Sequence, residues 1–228
     1  MKKSIYSLFI AAIVSLTAVC AQAAEAASEA VVLKVTGSPV ATVGGQQSAI
    51  KVGDKLAQGT VITTSDTSEV ELRAFSGSTT TIKPSTTAEL SKLSLTTDGG
   101  AVTKQSAVID LKVGNVVSKL DPSKKAINDY SIRTPKGVAA ARGTVYVVTV
   151  SPSGVVTLKV TAGAVIFNTP SGQVTVLPGQ QVTVQSDGSV GPVEASQAAE
   201  EGSTSETKDN NSDTNVIDPT IASPSSQT

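Results

Sequence analysis

The sequence predicts an all-β fold: a single domain of many short strands, arranged as a β-sandwich or a β-roll (short solenoid). Three observations carry this. Val, Thr and Ile dominate the chain from Val31 to about Val190, and these residues favour the pleated, half-buried surface of a sheet. Gly and Pro recur at short intervals and cut the chain into strand-length pieces. Past the first two dozen residues, no stretch places apolar residues at the 3.6-residue period of a helix.

In chain order, Ala30-Val-Val-Leu-Lys-Val-Thr36 reads as the first strand, ended by Gly37-Ser38-Pro39. Turns follow at Gly44-Gly45 and Val52-Gly53-Asp54. Thr60 to Thr63 and Glu69 to Ala74 read as strands, the second alternating apolar and charged residues with period two. Thr79 to Lys83 is stopped by Pro84, and Ala88 to Leu95 runs to the Asp98-Gly99-Gly100 turn. Val108 to Val113 and Val116 to Leu120 flank Gly114-Asn115, which reads as a hairpin turn. Tyr130 to Thr134 leads to Pro135, and Thr144 to Val150 is nearly all β-branched. Pro152-Ser-Gly154 turns into Val155 to Val160, and three further short strands end near Gln185.

The flanks differ from this body. Met1-Lys2-Lys3, an apolar run from Ile5 to Val19 and the small-x-small exit Ala21-Gln22-Ala23 form a secretory signal pattern over residues 1–23. The apolar run is too short to span a bilayer comfortably, which argues against an uncleaved anchor. Val19 stands where a lipidation signal at Cys20 takes a small residue, so cleavage after Ala23 is expected. Residues 24–30 are expected as a flexible leader, 31–190 as the β domain and 191–228 as a disordered tail. The tail carries Glu194, Glu200, Glu201, Glu206, Asp209, Asp213 and Asp218 against Lys208 alone, with too little apolar surface to offset ordering.

Composition also bounds the chemistry. The chain has no His and no Trp, and its one Cys, Cys20, lies in the signal pattern. The commonest general base, thiolate nucleophiles and His or Cys metal ligands are therefore missing from the mature part. Phe75, Tyr130, Tyr146 and Phe167 are the aromatics after the leader, too few for a stacking platform. Basic residues are dispersed, with Lys124-Lys125 the one adjacent pair in the body, so no nucleic-acid footprint is expected. Glu69 and Glu71 share a strand face and would suit acid–base work on a glycoside, but Val70 and Leu72 opposite them place the glutamates in solvent. Ser123-Lys124 is an ordinary loop pair, and Asp98-Gly-Gly and Asp187-Gly188 lack the run of oxygen ligands of a calcium loop. Gly44-Gly45 has no helix after it to form a phosphate cradle. No catalytic residue, cofactor or metal site is expected.

Thr134-Pro-Lys-Gly-Val-Ala-Ala-Ala-Arg-Gly-Thr-Val-Tyr-Val-Val148 resembles the hallmark of the FecR family: Thr-Pro, a glycine or alanine, small apolar residues, Arg-Gly-Thr and an apolar strand. Val52-Gly-Asp-Lys-Leu-Ala-Gln-Gly-Thr-Val-Ile-Thr-Thr64, Leu111-Lys-Val-Gly-Asn-Val-Val117, Ala162-Gly-Ala-Val165 and Leu177-Pro-Gly-Gln-Gln181 resemble other family segments in order and spacing. The resemblance covers Val31 to Val184. It implies a β domain of the cell envelope, with hallmark residues Thr134, Pro135, Gly137, Arg142, Gly143 and Thr144 in a structural role. Family sensors also carry a cytoplasmic segment before a membrane span and an α/β module that meets a receptor; neither is expected here. Arg142, with its planar five-donor head beside a turn, is expected to tie loop carbonyls or a carboxylate, the alternative being to hold a ligand or a partner's acid. The resulting expectation is an exported, non-catalytic domain in the periplasm or outside the cell. It binds an envelope protein partner and has no membrane span after cleavage. The alternatives are a periplasmic input to envelope or iron-linked signalling through a membrane partner, and a carbohydrate or cell-wall binder.

Overall fold

The computed structural model describes residues 24–196. They are all-β, with eighteen strands and one 3-10 turn among them. The strands are β1 (Ala24–Ala27), β2 (Ala30–Thr36), β3 (Val40–Val43), β4 (Gln46–Ala49), β5 (Lys55–Leu56), β6 (Val61–Thr63), β7 (Glu69–Arg73), β8 (Ser78–Ile82) and β9 (Thr87–Asp98). After these come β10 (Ala101–Leu120), β11 (Asn128–Thr134), β12 (Gly137–Ala141), β13 (Val145–Val150), β14 (Val156–Ala162), β15 (Val165–Thr169), β16 (Gly172–Val176), β17 (Gln180–Val184) and β18 (Glu194–Ala195).

The strands link into one hydrogen-bonded system folded into two layers. In the first layer the order is β4-β3-β6-β9-β10-β11-β12-β15-β16, with β1 lying beyond β6 on the same edge of β9. In the second it is β5-β2-β7-β8-β10-β13-β14-β17-β18. All pairs are antiparallel except β10–β11. From β11 onward, successive hairpins alternate between the layers.

Strand β10 belongs to both layers. Ala101 to Val113 pair with β9, and Gly114 to Lys119 pair with β13. The change of layer falls at Gly114, whose φ is 103°. A Cβ there would stand 2.5 Å from the Thr86 Cα. The Asn115 N–H donates to the Thr86 Oγ1 (2.9 Å), and the Thr86 N–H donates to the Thr64 Oγ1 (2.9 Å). Gly114-Asn115 is therefore a corner inside one long strand, not the hairpin turn that the dipeptide suggests.

The core follows from strand alternation. On β13, Tyr146, Val148 and Val150 are buried while Val145, Val147 and Thr149 face outward. Leu90, Leu93, Ile109, Leu111, Ile132 and Phe167 of the first layer share one apolar cluster with Leu72, Ile82, Val116 and Leu158 of the second. Each such burial contributes about 1.5–3 kcal/mol.

Two further expectations change. Ala24 to Ala27, read as leader, pair with Ser94 to Thr97 of β9, and Ala30 is already buried in β2. Val138 to Ala141, read only as a small-residue run, form β12 between β11 and β15. At the other end, Glu194 and Ala195 pair with β17. The signal pattern, Cys20 and the acidic tail from residue 197 lie outside the described residues. Among the described residues, no helix is long and apolar enough to cross a membrane.

Candidate functional site

The hallmark residues form the crossover that carries the chain from the β11–β12 hairpin in the first layer to the β13–β14 hairpin in the second. Pro135 ends β11 because it brings no N–H to the ladder. The Thr134 hydroxyl then closes the turn: it donates to the Gly137 carbonyl (2.9 Å) and accepts from the Lys136 N–H (3.2 Å). Gly137 lies against β15, where a Cβ would collide with the Asn168 carbonyl oxygen and sit 3.0 Å from the Phe167 ring. Gly143 has φ 72°, and a Cβ there would come within 2.5 Å of the Pro122 Cα. Pro122 opens the 3-10 turn Pro122–Lys124, capped by an Asp121 carboxylate that accepts from the Ser123 N–H (2.8 Å). Thr144 is buried, and its carbonyl accepts from the Leu120 N–H (2.8 Å).

Arg142 sits in the middle of this construction and takes no part in it. Its side chain is exposed, and among the described residues it makes no hydrogen bond or ion pair. The expected stitching by its guanidinium is corrected here. The Thr134 hydroxyl and direct backbone packing at Gly137 and Gly143 close the corner instead.

Beside the corner lies a depression of about 320 Å³. Ala140, Ala141 and Ala164 line it with Ile166, Asp129 and Arg142. Ile166 is 41% exposed. Asp129 is already engaged by Lys104 (2.9 Å).

The other candidates resolve as surface or turn residues. Glu69 pairs with Lys83 (2.9 Å), and Val70 and Leu72 opposite the glutamates are fully buried. Asp187 accepts from the Ser189 N–H (2.8 Å) and hydroxyl (2.7 Å), and these bonds hold its carboxyl below the usual range. Asp98-Gly99-Gly100 and Gly44-Gly45 are the tight connections of β9–β10 and β3–β4. Among the described residues, no group of three or more His, Cys, Asp or Glu side chains could hold a metal ion.

One constellation escaped the sequence reading. Between the layers, the Tyr130 hydroxyl lies 2.7 Å from the Thr80 Oγ1 and 2.9 Å from the Ser118 Oγ. Phe75 meets the Tyr130 ring edge-on, with centroids 6.1 Å apart. Burial pushes the Tyr130 ionisation up to about 12, against the opposing pull of the Ser118 and Thr80 hydrogen bonds. Burial, and next the neighbouring Tyr130, push Tyr146 well above the ordinary tyrosine value. Both phenols are neutral at physiological pH; the Tyr130 hydroxyl serves as a polar cross-link, while the Tyr146 hydroxyl is buried without a hydrogen-bond partner among the described residues. A signal was present: Ser118 falls on the inward side of Val116-Val-Ser-Lys-Leu120, where an apolar residue is expected.

The FecR family, described as FecR protein, matches residues 60–166, just under half of the chain. No curated protein matches it. Two crystal structures of a protein provisionally described as an anti-sigma factor, from Parabacteroides distasonis ATCC 8503, are similar over 60% of this chain at 13% identity and a TM-score of 0.48. The match spans 60% of that protein's chain as well.

Proposed function

We propose, from the match of residues 60–166 to the FecR family, that this chain is a non-catalytic, protein-binding module of the cell envelope, with a partner in a signalling route. The observation that carries the reading is the FecR match on a sheet system with unsealed edges. Among the described strands, β4 pairs only with β3, and β16 pairs only with β15. Their outer edges offer unpaired backbone groups to which a partner strand can add. All of β4 and most of β16 are exposed. The buried hydroxyls of Thr80, Ser118 and Tyr130, in contrast, hold the layers together. Export is part of the proposal and rests on the Lys2-Lys3, apolar-run and Ala21-Gln22-Ala23 pattern.

A second reading, glycan binding, draws on the outward row of β10, β13, β14 and β17. There Asn115 donates to Thr149 (3.1 Å), and the Thr157 and Thr183 hydroxyls lie 3.3 Å apart. Sedimentation with peptidoglycan tests it: a supernatant that retains all the protein removes this reading.

The leading proposal is tested by cell fractionation with N-terminal sequencing, followed by photo-crosslinking of the exported protein in intact cells from positions on β4 and β16. A mature N-terminus at Ala24 and a discrete protein adduct are expected. Retention of residues 1–23 in a cytosolic fraction overturns the envelope placement, and a lack of adducts from both edges overturns strand addition.

A further inference from the structure

Arg142 is mounted rigidly and left unused. Ala141 before it is buried, and Gly143 after it is wedged against Pro122, so the backbone at Arg142 is fixed on both sides. Its guanidinium nevertheless has no partner among the described residues. A charged fork mounted on a fixed backbone and not consumed by the fold is available to receive something else. Resting on the protein-binding reading above, we propose that Arg142 is the receptor for a single carboxylate on a protein partner. An aliphatic neighbour of that carboxylate seats against Ala140, Ala164 and Ile166.

The surroundings select this chemistry. The guanidinium presents donors in a planar fork that matches a carboxylate bidentately. The depression beside it, about 320 Å³ and floored by alanines, has room for an aliphatic side chain, and Ile166 supplies an exposed apolar wall. Asp129 also lines the depression, and its charge is balanced by Lys104 at 2.9 Å. One incoming negative charge therefore neutralises Arg142 without displacing an existing pair. A polyanion such as nucleic acid would need a concentrated basic stripe and would meet the Asp129 carboxylate instead. The partner segment that fits is thus a Glu or Asp flanked by Ile, Leu or Val.

The test titrates the blocked peptide acetyl-Gly-Ile-Glu-Val-Gly-amide into the isotope-labelled mature protein and follows backbone amide shifts. Saturable shifts confined to the amides around Ala140 to Arg142 and Ala164 to Ile166 are expected, with millimolar affinity. Changing the peptide's Glu to Gln, or the protein by Arg142→Gln, should each weaken binding about fivefold, the scale of one exposed ion pair. Arg142→Lys should recover part of the loss. The melting temperature of Arg142→Gln should equal that of the parent, since the fold does not use the side chain. Lack of saturable shifts at those amides up to about 10 mM peptide, or equal affinity for the Glu and Gln peptides, overturns the proposal. In cells, a photo-crosslinking residue at Ile166 separates the two layers of inference. An adduct that Arg142→Gln abolishes supports the receptor role. One that persists at full yield overturns that role while protein binding stands. The lack of any adduct from Ile166, from Thr175 on β16 and from Gln47 on β4 overturns both.

Discussion

Gly143 and Gly154 have nearly the same backbone conformation, φ 72° and 83°, yet they stand in different surroundings. A Cβ on Gly154 would meet nothing within 4 Å, whereas one on Gly143 would enter the backbone of Pro122. Gly154→Ala should therefore cost only the left-handed strain of an L-residue, about 1–2 kcal/mol. Gly143→Ala should cost that strain plus displacement of the 3-10 turn, about 3–4 kcal/mol in all. For a domain of this size, 1 kcal/mol moves the melting temperature by about 2–4 °C. Thermal melts should thus show a shift of several degrees for Gly154→Ala and roughly twice that for Gly143→Ala. Equal shifts would mean that Pro122 yields. At this scale the sequence was half legible. The need for glycine after Arg142 could be read, because Gly143 sits between a small-residue run and a strand entry. The role of Arg142 could not, because its donors are visible in the sequence but the location of carbonyl acceptors is a property of the fold.

At the scale of elements, Gly114-Asn115 shows where local pattern gives out. A hairpin turn and a layer-changing corner both need a residue at positive φ between two apolar runs. What separates them is Thr86, a residue distant in sequence, whose hydroxyl accepts from the Asn115 N–H at 2.9 Å. Thr86→Val keeps the shape and removes that acceptor, so the mutant should lose about 1–3 kcal/mol in denaturant unfolding. An unchanged midpoint would show that the corner holds without it. Strand β12 was hidden for a related reason: Gly137-Val-Ala-Ala-Ala141 has one β-branched residue among small ones, and Gly137 is required where β12 closes on Phe167 and Asn168 of β15. The link from β11 to β8 and β10 carries its own pH signature. Tyr130 ionises at about 12 when folded against 10 in the unfolded chain, so above pH 10 the unfolded state loses its proton first. Stability should be independent of this group below about pH 10 and fall by about 3 kcal/mol as pH rises from about 10 to 12. Tyr146 acts in the same direction. Denaturant midpoints at neutral pH and near the folded ionisation should show this decline, and Tyr130→Phe should reduce it while losing about 1–2 kcal/mol at neutral pH through the orphaned Thr80 and Ser118 hydroxyls.

For the whole molecule, all-β character was readable from composition and alternation, but the pairing order was not. A strand's periodicity reveals which residues face inward, and nothing about which distant strand lies beside it. Strand β10 pairs with β8, β9, β11 and β13, and no local pattern announces four neighbours. That arrangement has a consequence for stability. The two layers share β10, share one apolar cluster and are cross-linked by the Tyr130 hydroxyl. Opening either layer strips one half of β10 and exposes the inner face of the other, so neither layer has a stable state alone. The described domain should therefore unfold as one cooperative unit. Far-ultraviolet circular dichroism and tyrosine fluorescence should give coincident denaturation curves. Amide exchange should place Ala107 to Leu120 of β10 in the slowest class, at the free energy of global unfolding, together with the paired residues of β9 and β13. Two resolved transitions, or slow exchange confined to one half of β10, would show that the corner at Gly114 joins two independent layers and that the common core does not couple them.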